Sequence, residues 1–80
     1  MKKEEFNLTY AEIEAIKKIL YAFDLDAGNW ENYYKNDIVT INKGRDGNNY
    51  VWLCDAISNE VLNIETGLYL TEEEIEEQFY

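Results

Sequence analysis

Two aspartates and a glycine in the stretch "AFDLDAGNWENYYK" have the chemistry of a calcium loop. Asp24 and Asp26 stand two positions apart, as the first ligands of an EF-hand do. The complete loop also needs an oxygen ligand at position five, glycine at position six and a bidentate glutamate at position twelve. Counted from Asp24, those positions hold Gly28, Asn29 and Lys35. We therefore predict no metal here and interpret Asp24 and Asp26 as turn or partner-facing residues.

Catalytic side chains are few in this sequence. It contains no histidine, which is the commonest general base and metal ligand in proteins. Paired carboxylates hydrolyse glycosides, but 80 residues are too few to wall the deep cleft that such sites occupy. The single cysteine, Cys54, sits inside an apolar run and is interpreted as a buried small hydrophobic residue. We predict neither an enzyme nor a bound cofactor.

Length and composition predict one small globular domain spanning residues 1–80, with 46% hydrophobic content. No apolar run approaches the roughly 20 residues that span a bilayer, and "MKKEEF" lacks the apolar stretch of a signal peptide. One cysteine excludes an internal disulfide. We expect a soluble, cytoplasmic protein that binds no membrane.

The first predicted element is a helix in "NLTYAEIEAIKKILYAF". Thr9 and Glu12 have the spacing of a capping box, and apolar residues then recur at helical spacing on one face. We predict a helix from about Tyr10 to Phe23.

The same signal returns near the end of the sequence in "YLTEEEIEEQFY". Thr71 and Glu74 form a second capping box. A short C-terminal helix is predicted, with Ile75 and Phe79 directed inward.

Three stretches between the helices are rich in β-branched and aromatic residues: "DIVTI", "YVWLCDAI" and "EVLNI". The turn-forming clusters "NKGRDGNN" and "SN" separate them, which predicts a three-stranded antiparallel sheet. A fourth short strand at 68–70 stays open, as does the choice between loop and helical turns in "NWENYYK". The order α-β-β-β-α predicts an α+β fold in which a helix flanks the sheet at each end of the sequence.

Side-chain alternation in the central strand poses a question about the second sheet face. Tyr50 and Trp52 alternate with Val51 and Leu53. Neighbouring side chains of a strand point to opposite faces. One pair must therefore face away from the main core unless both faces of the sheet are covered.

Charge is distributed unevenly along the sequence, which has a net charge of −10. Residues 1–45 hold eight acidic and seven basic residues and are close to neutral. From residue 46 onward there is no lysine or arginine, and the acidic residues are Asp46, Asp55, Glu60, Glu65, Glu72, Glu73, Glu74, Glu76 and Glu77. A chain of this charge would be repelled by phosphate, so direct binding to nucleic acid is not expected.

The predicted C-terminal helix gathers four carboxylates on one face. At 100° per residue, Glu72, Glu73, Glu76 and Glu77 fall within an arc of about 140°. Glutamates in a first turn favour the helix dipole, and charge favours solubility, so a purely solvated face is the alternative explanation. That explanation accounts less well for Glu76 and Glu77, which approach the C-terminal end where no lysine compensates. An external basic partner is therefore inferred.

Aromatic residues supply a second candidate contact. The chain has seven tyrosines and two tryptophans, and such residues often anchor protein interfaces. Trp30, Tyr33 and Tyr34 fall in one short segment that we interpret as exposed on at least one side. The alternative is that these three side chains cover the core beneath a loop.

In size, acidity, lack of histidine and the uncompensated carboxylates of "TEEEIEEQFY", the chain resembles small phage-encoded inhibitors grouped as anti-CRISPR proteins and DNA mimics. The resemblance implies a protein that inactivates a basic nuclease or effector by binding its nucleic-acid groove. It carries over no individual site residue.

The sequence therefore favours an acidic protein inhibitor of a basic nucleic-acid-binding protein, acting as a monomer or homodimer. The predicted partner-binding residues are Glu72, Glu73, Glu76, Glu77, Asp24, Asp26, Trp30, Tyr33 and Tyr34. Two alternatives stay open: an immunity protein for a nuclease toxin, and a homo-oligomeric interaction module that uses the tyrosine-rich segment or an open sheet edge.

Overall fold

The computed structural model describes residues 7–54 and 56–80 and confirms the predicted α+β order, α-β-β-β-α. The main elements are α1 (Tyr10–Ala22), α2 (Trp30–Lys35), β1 (Val39–Lys43), β2 (Asn49–Leu53), β3 (Val61–Asn63) and α3 (Glu72–Phe79). A short 3-10 helix, Ala27–Asn29, precedes α2, so the segment left open between loop and helix is helical.

Helix α1 begins with the predicted capping box. The Glu12 amide donates to Thr9 Oγ1 at 3.1 Å, and the Thr9 amide donates to Glu12 Oε1 at 2.8 Å. The helix ends at Ala22, one residue before the predicted end, and Asp24 adopts a left-handed conformation with φ 60°. A left-handed residue stops helical propagation, so the chain turns there.

Helix α3 begins in the same way. The Glu74 amide donates to Thr71 Oγ1 at 3.2 Å, and the Thr71 amide donates to Glu74 Oε1 at 2.8 Å. Both capping boxes read from the sequence are therefore confirmed.

The three strands pair in the order β1-β2-β3, and both pairs are antiparallel. Strand β1 begins only at Val39, because Asp37, with φ 61°, belongs to the turn after α2. The prediction that the second strand reaches Ile57 is wrong. Strand β2 ends at Leu53, and the amides of Ile57 and Ser58 donate to the Cys54 carbonyl in a turn.

The possible fourth strand at 68–70 is reduced to a single bridge, in which Leu62 pairs with Tyr69. Two backbone hydrogen bonds flank it, from the Asn63 amide to the Leu68 carbonyl and from the Leu70 amide to the Val61 carbonyl, both at 2.9 Å. This segment lies along the outer edge of β3 and leads into α3.

Both faces of the sheet are covered, which answers the question posed by the alternation in β2. Val51 and Leu53 are fully buried in the core cluster that also contains the buried residues of α1. On the other face, Tyr50 is 3% exposed and Trp52 is half-buried. Helix α3 covers them through Phe79, whose ring lies edge-on to both aromatic rings.

Helix length gives no sign of membrane insertion. Within residues 7–54 and 56–80, every helix is too short or too polar to cross a bilayer.

Candidate partner-binding surface

The carboxylates of α3 form the most strongly charged part of the described surface. We call Glu72, Glu73, Glu76 and Glu77 the acidic face; all four residues are exposed. Within residues 7–54 and 56–80, the structure records one ion pair, between Lys17 and Glu14 at 3.8 Å, and it lies on α1. The acidic face therefore reaches solvent with no lysine or arginine of the described residues paired to it.

The C-terminal end of α3 has a cationic neighbour that the sequence analysis did not foresee. Arg45 donates from its guanidinium to the Tyr80 carbonyl and from its backbone amide to the Gln78 carbonyl, the latter at 3.1 Å. A positive charge at a helix C-terminus stabilises the dipole. The turn between β1 and β2 brings this arginine to the end of α3, so the helix dipole is compensated there and the expectation of an uncompensated end is wrong.

The same turn fixes α3 through polar contacts. The Asp46 amide donates to Gln78 Oε1 at 3.0 Å, and the Tyr50 hydroxyl donates to Asp46 Oδ2 at 2.5 Å. Hydrogen bonding from Tyr50 and Asn48 holds the pKa of Asp46 below its usual value. Burial, reinforced by the Asp46 carboxylate, raises the pKa of the Tyr50 hydroxyl. Both shifts stabilise the pair as carboxylate and neutral phenol.

Close packing at Gly44 brings the turn and the helix together. A Cβ placed on Gly44 would lie 2.8 Å from the Tyr50 ring and 3.0 Å from Gln78 Oε1. Such contacts are shorter than van der Waals packing allows, so the turn approaches α3 this closely only with a glycine at that position.

Aromatic contacts complete the attachment of α3. The Phe79 ring lies 5.4 Å from that of Tyr50 and 5.0 Å from that of Trp52, with interplanar angles of 82° in both cases. Edge-on pairs of this kind add about 0.5–1.5 kcal/mol each beyond the burial of their area. The inward prediction for Phe79 is confirmed, and the four residues of the acidic face stay exposed while Phe79 packs against the sheet.

The second group of predicted binding residues lies on the other side of the sheet. Helix α2 contacts α1 and β1, and Tyr33 and Tyr34 are half-buried against the α1-side core. Trp30 is only 6% exposed and belongs to the core itself, so the interpretation of this residue as exposed is wrong. For Trp30 the alternative, a side chain that covers the core, is the one observed.

Asp24 and Asp26 occupy the turn between α1 and α2, and both are exposed. Asp26 Oδ1 accepts a hydrogen bond from the Gly28 amide at 3.1 Å and caps the 3-10 helix. Within the described parts of the chain, no three side chains of metal-ligating type converge. The structure therefore gives both aspartates a role in the turn.

Two open clefts lined by described residues lie away from α3. The larger, of about 420 Å³, lies between α1 and the segment that follows Leu62, and the smaller, of about 270 Å³, lies beside Thr9 and Asn49. The acidic face is instead a convex helix surface. A convex surface suits a groove on another macromolecule better than it suits a small ligand.

Sequence reasoning missed Arg45, Gln78 and Leu68. The first two are separated by more than thirty residues and meet only through the fold. The sequence places Leu68 in a possible fourth strand, whereas in the structure its side chain is 68% exposed. Its alternation with Leu70 in "GLYL" was the one local hint that the two leucines share a face.

Comparison with known proteins gives no relative for this chain: no family model matches it, and neither a curated protein nor a solved structure does.

Proposed function

We propose that the chain is a small acidic inhibitor in the cytoplasm that binds a basic nucleic-acid-binding protein or nuclease and blocks its nucleic-acid groove. The observation that carries the proposal is the acidic face itself. Four exposed carboxylates lie on one side of a helix, and no lysine or arginine of the described chain pairs with them.

The spacing of these carboxylates supports competition with nucleic acid. Residues three and four apart on a helix have Cβ atoms about 5–6 Å apart. That distance is of the order of the spacing between successive phosphates along a strand. A groove that holds phosphates with lysine and arginine would therefore find comparable negative charge on α3.

Repulsion among the glutamates of α3 also supports a basic partner. Like charges at helical spacings of three and four residues destabilise a helix by about 0.2–0.5 kcal/mol per pair. Arg45 offsets the dipole at the helix end, but it forms no ion pair with the acidic face. A basic partner would remove the remaining repulsion on binding.

Contacts at both ends of α3 hold the helix against the sheet before binding. The capping box fixes its first turn, and the contacts of Phe79 and Gln78 fix its last turn. A preorganised surface loses less conformational entropy on binding, so more of its interaction energy contributes to affinity.

The experiment uses a partner captured from host lysate and then purified, and it compares two charge-reversed variants. Glu73→Lys with Glu77→Lys should reduce affinity by a few kcal/mol, because attractive contacts become repulsive. The control, Glu14→Lys with Glu31→Lys, changes net charge equally but lies on α1 and α2 and should bind like the wild type.

Salt dependence separates this proposal from its alternatives. Binding through the acidic face should weaken as the Debye length falls from about 30 Å at 0.01 M to about 8 Å at 0.15 M ionic strength. Equal binding by both reversed variants would contradict the proposal. A salt-insensitive dimer that binds no basic protein would favour the homo-oligomeric module instead.

A further inference from the structure

Leu68 is a large apolar side chain that the fold holds in solvent. It is 68% exposed, although its backbone is fixed on both sides. Its amide donates to Thr66 Oγ1 at 3.2 Å, and its carbonyl accepts from the Asn63 amide at 2.9 Å. Lys18 Nζ donates to the neighbouring Gly67 carbonyl at 2.9 Å. The leucine is therefore presented by an ordered segment and contributes little to the core.

Leu68 faces the same side of the sheet as α3. Tyr69 pairs with Leu62 and lies on the α1 side, where its ring is edge-on to Phe23 at 6.4 Å. Successive side chains of an extended segment point to opposite faces, so Leu68 is directed to the face that α3 covers. The acidic face begins four residues later, at Glu72.

We propose that Leu68 is the apolar anchor of the partner-binding surface, and that the acidic face forms the charged part of the same surface. The partner is a basic protein with an apolar depression bordered by lysine or arginine. This inference rests on the proposed function and adds a contact residue and a partner shape to it.

The charge of this surface favours a basic protein over a second copy of the chain as the partner. In the sequence, Leu68 lies between the exposed carboxylates Glu65 and Glu72, and the nearby cation Lys18 already donates to the Gly67 carbonyl. Two copies meeting at this surface would place like charges opposite each other, which is unfavourable. A basic surface would meet the carboxylates and bury the leucine together.

The two parts of the surface would act on different rate constants. Exposed charges mainly raise the association rate by steering. A buried apolar contact is lost only on separation, so it mainly lowers the dissociation rate. An interface of this kind has an apolar centre and a polar rim, as protein interfaces commonly do.

The test uses two synthetic basic peptides of equal length and charge, one alternating lysine with leucine and the other alternating lysine with serine. At about 0.15 M ionic strength, calorimetry should show that the wild type binds the lysine–leucine peptide at least about tenfold more tightly, which corresponds to a single well-buried apolar contact. In Leu68→Ser this preference should fall to about one, and in Leu68→Met it should be retained.

The matched control is Tyr21→Ser, because Tyr21 is 79% exposed but lies on α1, on the opposite side of the sheet. It should keep the full preference for the lysine–leucine peptide. A preference that survives in Leu68→Ser, or that Tyr21→Ser abolishes, would overturn the inference. That result would leave the proposed function standing if reversal of Glu73 and Glu77 still abolished binding of both peptides. No binding of either peptide at low salt would overturn both.

Discussion

The two faces of the sheet are covered by helices that are held in different ways. Helix α1 buries Ile16, Ile19 and Leu20 completely against the sheet. Helix α3 has no buried residue, and its attachment depends on Phe79 and on hydrogen bonds to the turn between β1 and β2. One layer is an apolar core, and the other is a lightly packed support for charged side chains.

This difference separates the source of stability from the proposed site of function. Burial of apolar area is the dominant favourable contribution to folding. Because most of that burial lies on the α1 side, α3 tolerates five glutamates whose mutual repulsion a core helix could not accept. The comparison predicts that substitutions on the two sides differ in size and in what they affect.

The largest effect is expected from truncation in the α1 layer. Ile16→Ala should lower the free energy of unfolding by about 2–5 kcal/mol, because it removes a fully buried side chain and leaves a cavity. Ile75→Ala removes a side chain of α3 that is only half-buried, so it should cost clearly less. Urea denaturation measures both, and equal losses would show that the two layers contribute alike.

A smaller effect is expected from the two capping boxes, which are matched in sequence and geometry. Thr9→Ala and Thr71→Ala each remove one hydrogen bond to a helix amide, so each should cost about 0.5–2 kcal/mol. Thr9→Ala should cost more, because its helix carries more of the core. Melting followed by circular dichroism would test this order, and an unchanged melt for Thr9→Ala would contradict the role of the cap.

The smallest effect is expected in the turn between α1 and α2. Asn tolerates the left-handed conformation of Asp24 and caps as Asp26 does, so replacing both aspartates with Asn should leave stability nearly unchanged. Melting with and without calcium checks the rejected metal loop. A calcium-dependent rise in Tm that vanishes in the double variant would show that the aspartates bind the ion.

Local spacing explains why much of this fold was predictable. The capping boxes and the periodicity of α1 depend on residues three or four positions apart, so the sequence displays them directly. The sheet order followed from strand and turn composition. The end of β2 is not visible in the sequence, because apolar residues after Leu53 continue the strand composition although the backbone turns at Cys54.

The candidate site was less predictable because its geometry depends on distant partners. Burial of Trp30 follows from packing against α1 and β1, which no local pattern displays. The contact of Arg45 with the end of α3 joins residues 35 positions apart. The sequence does not show that Leu68 is exposed, because the segment that contains it forms a single bridge in place of the possible fourth strand. The carboxylates of α3 were predictable because a helix fixes their relative directions.

The most direct test of the central claim is a competition measurement on the purified partner. The chain is added to the partner with and without saturating nucleic acid, and binding is followed by fluorescence anisotropy. The label is attached to the cysteine at position 17 of the double variant Cys54→Ser/Lys17→Cys, which lies on α1 and away from α3. If the acidic face occupies the nucleic-acid groove, nucleic acid should exclude the chain, and the chain should displace nucleic acid in the reverse titration. Binding of undiminished affinity to a partner already loaded with nucleic acid would contradict the account.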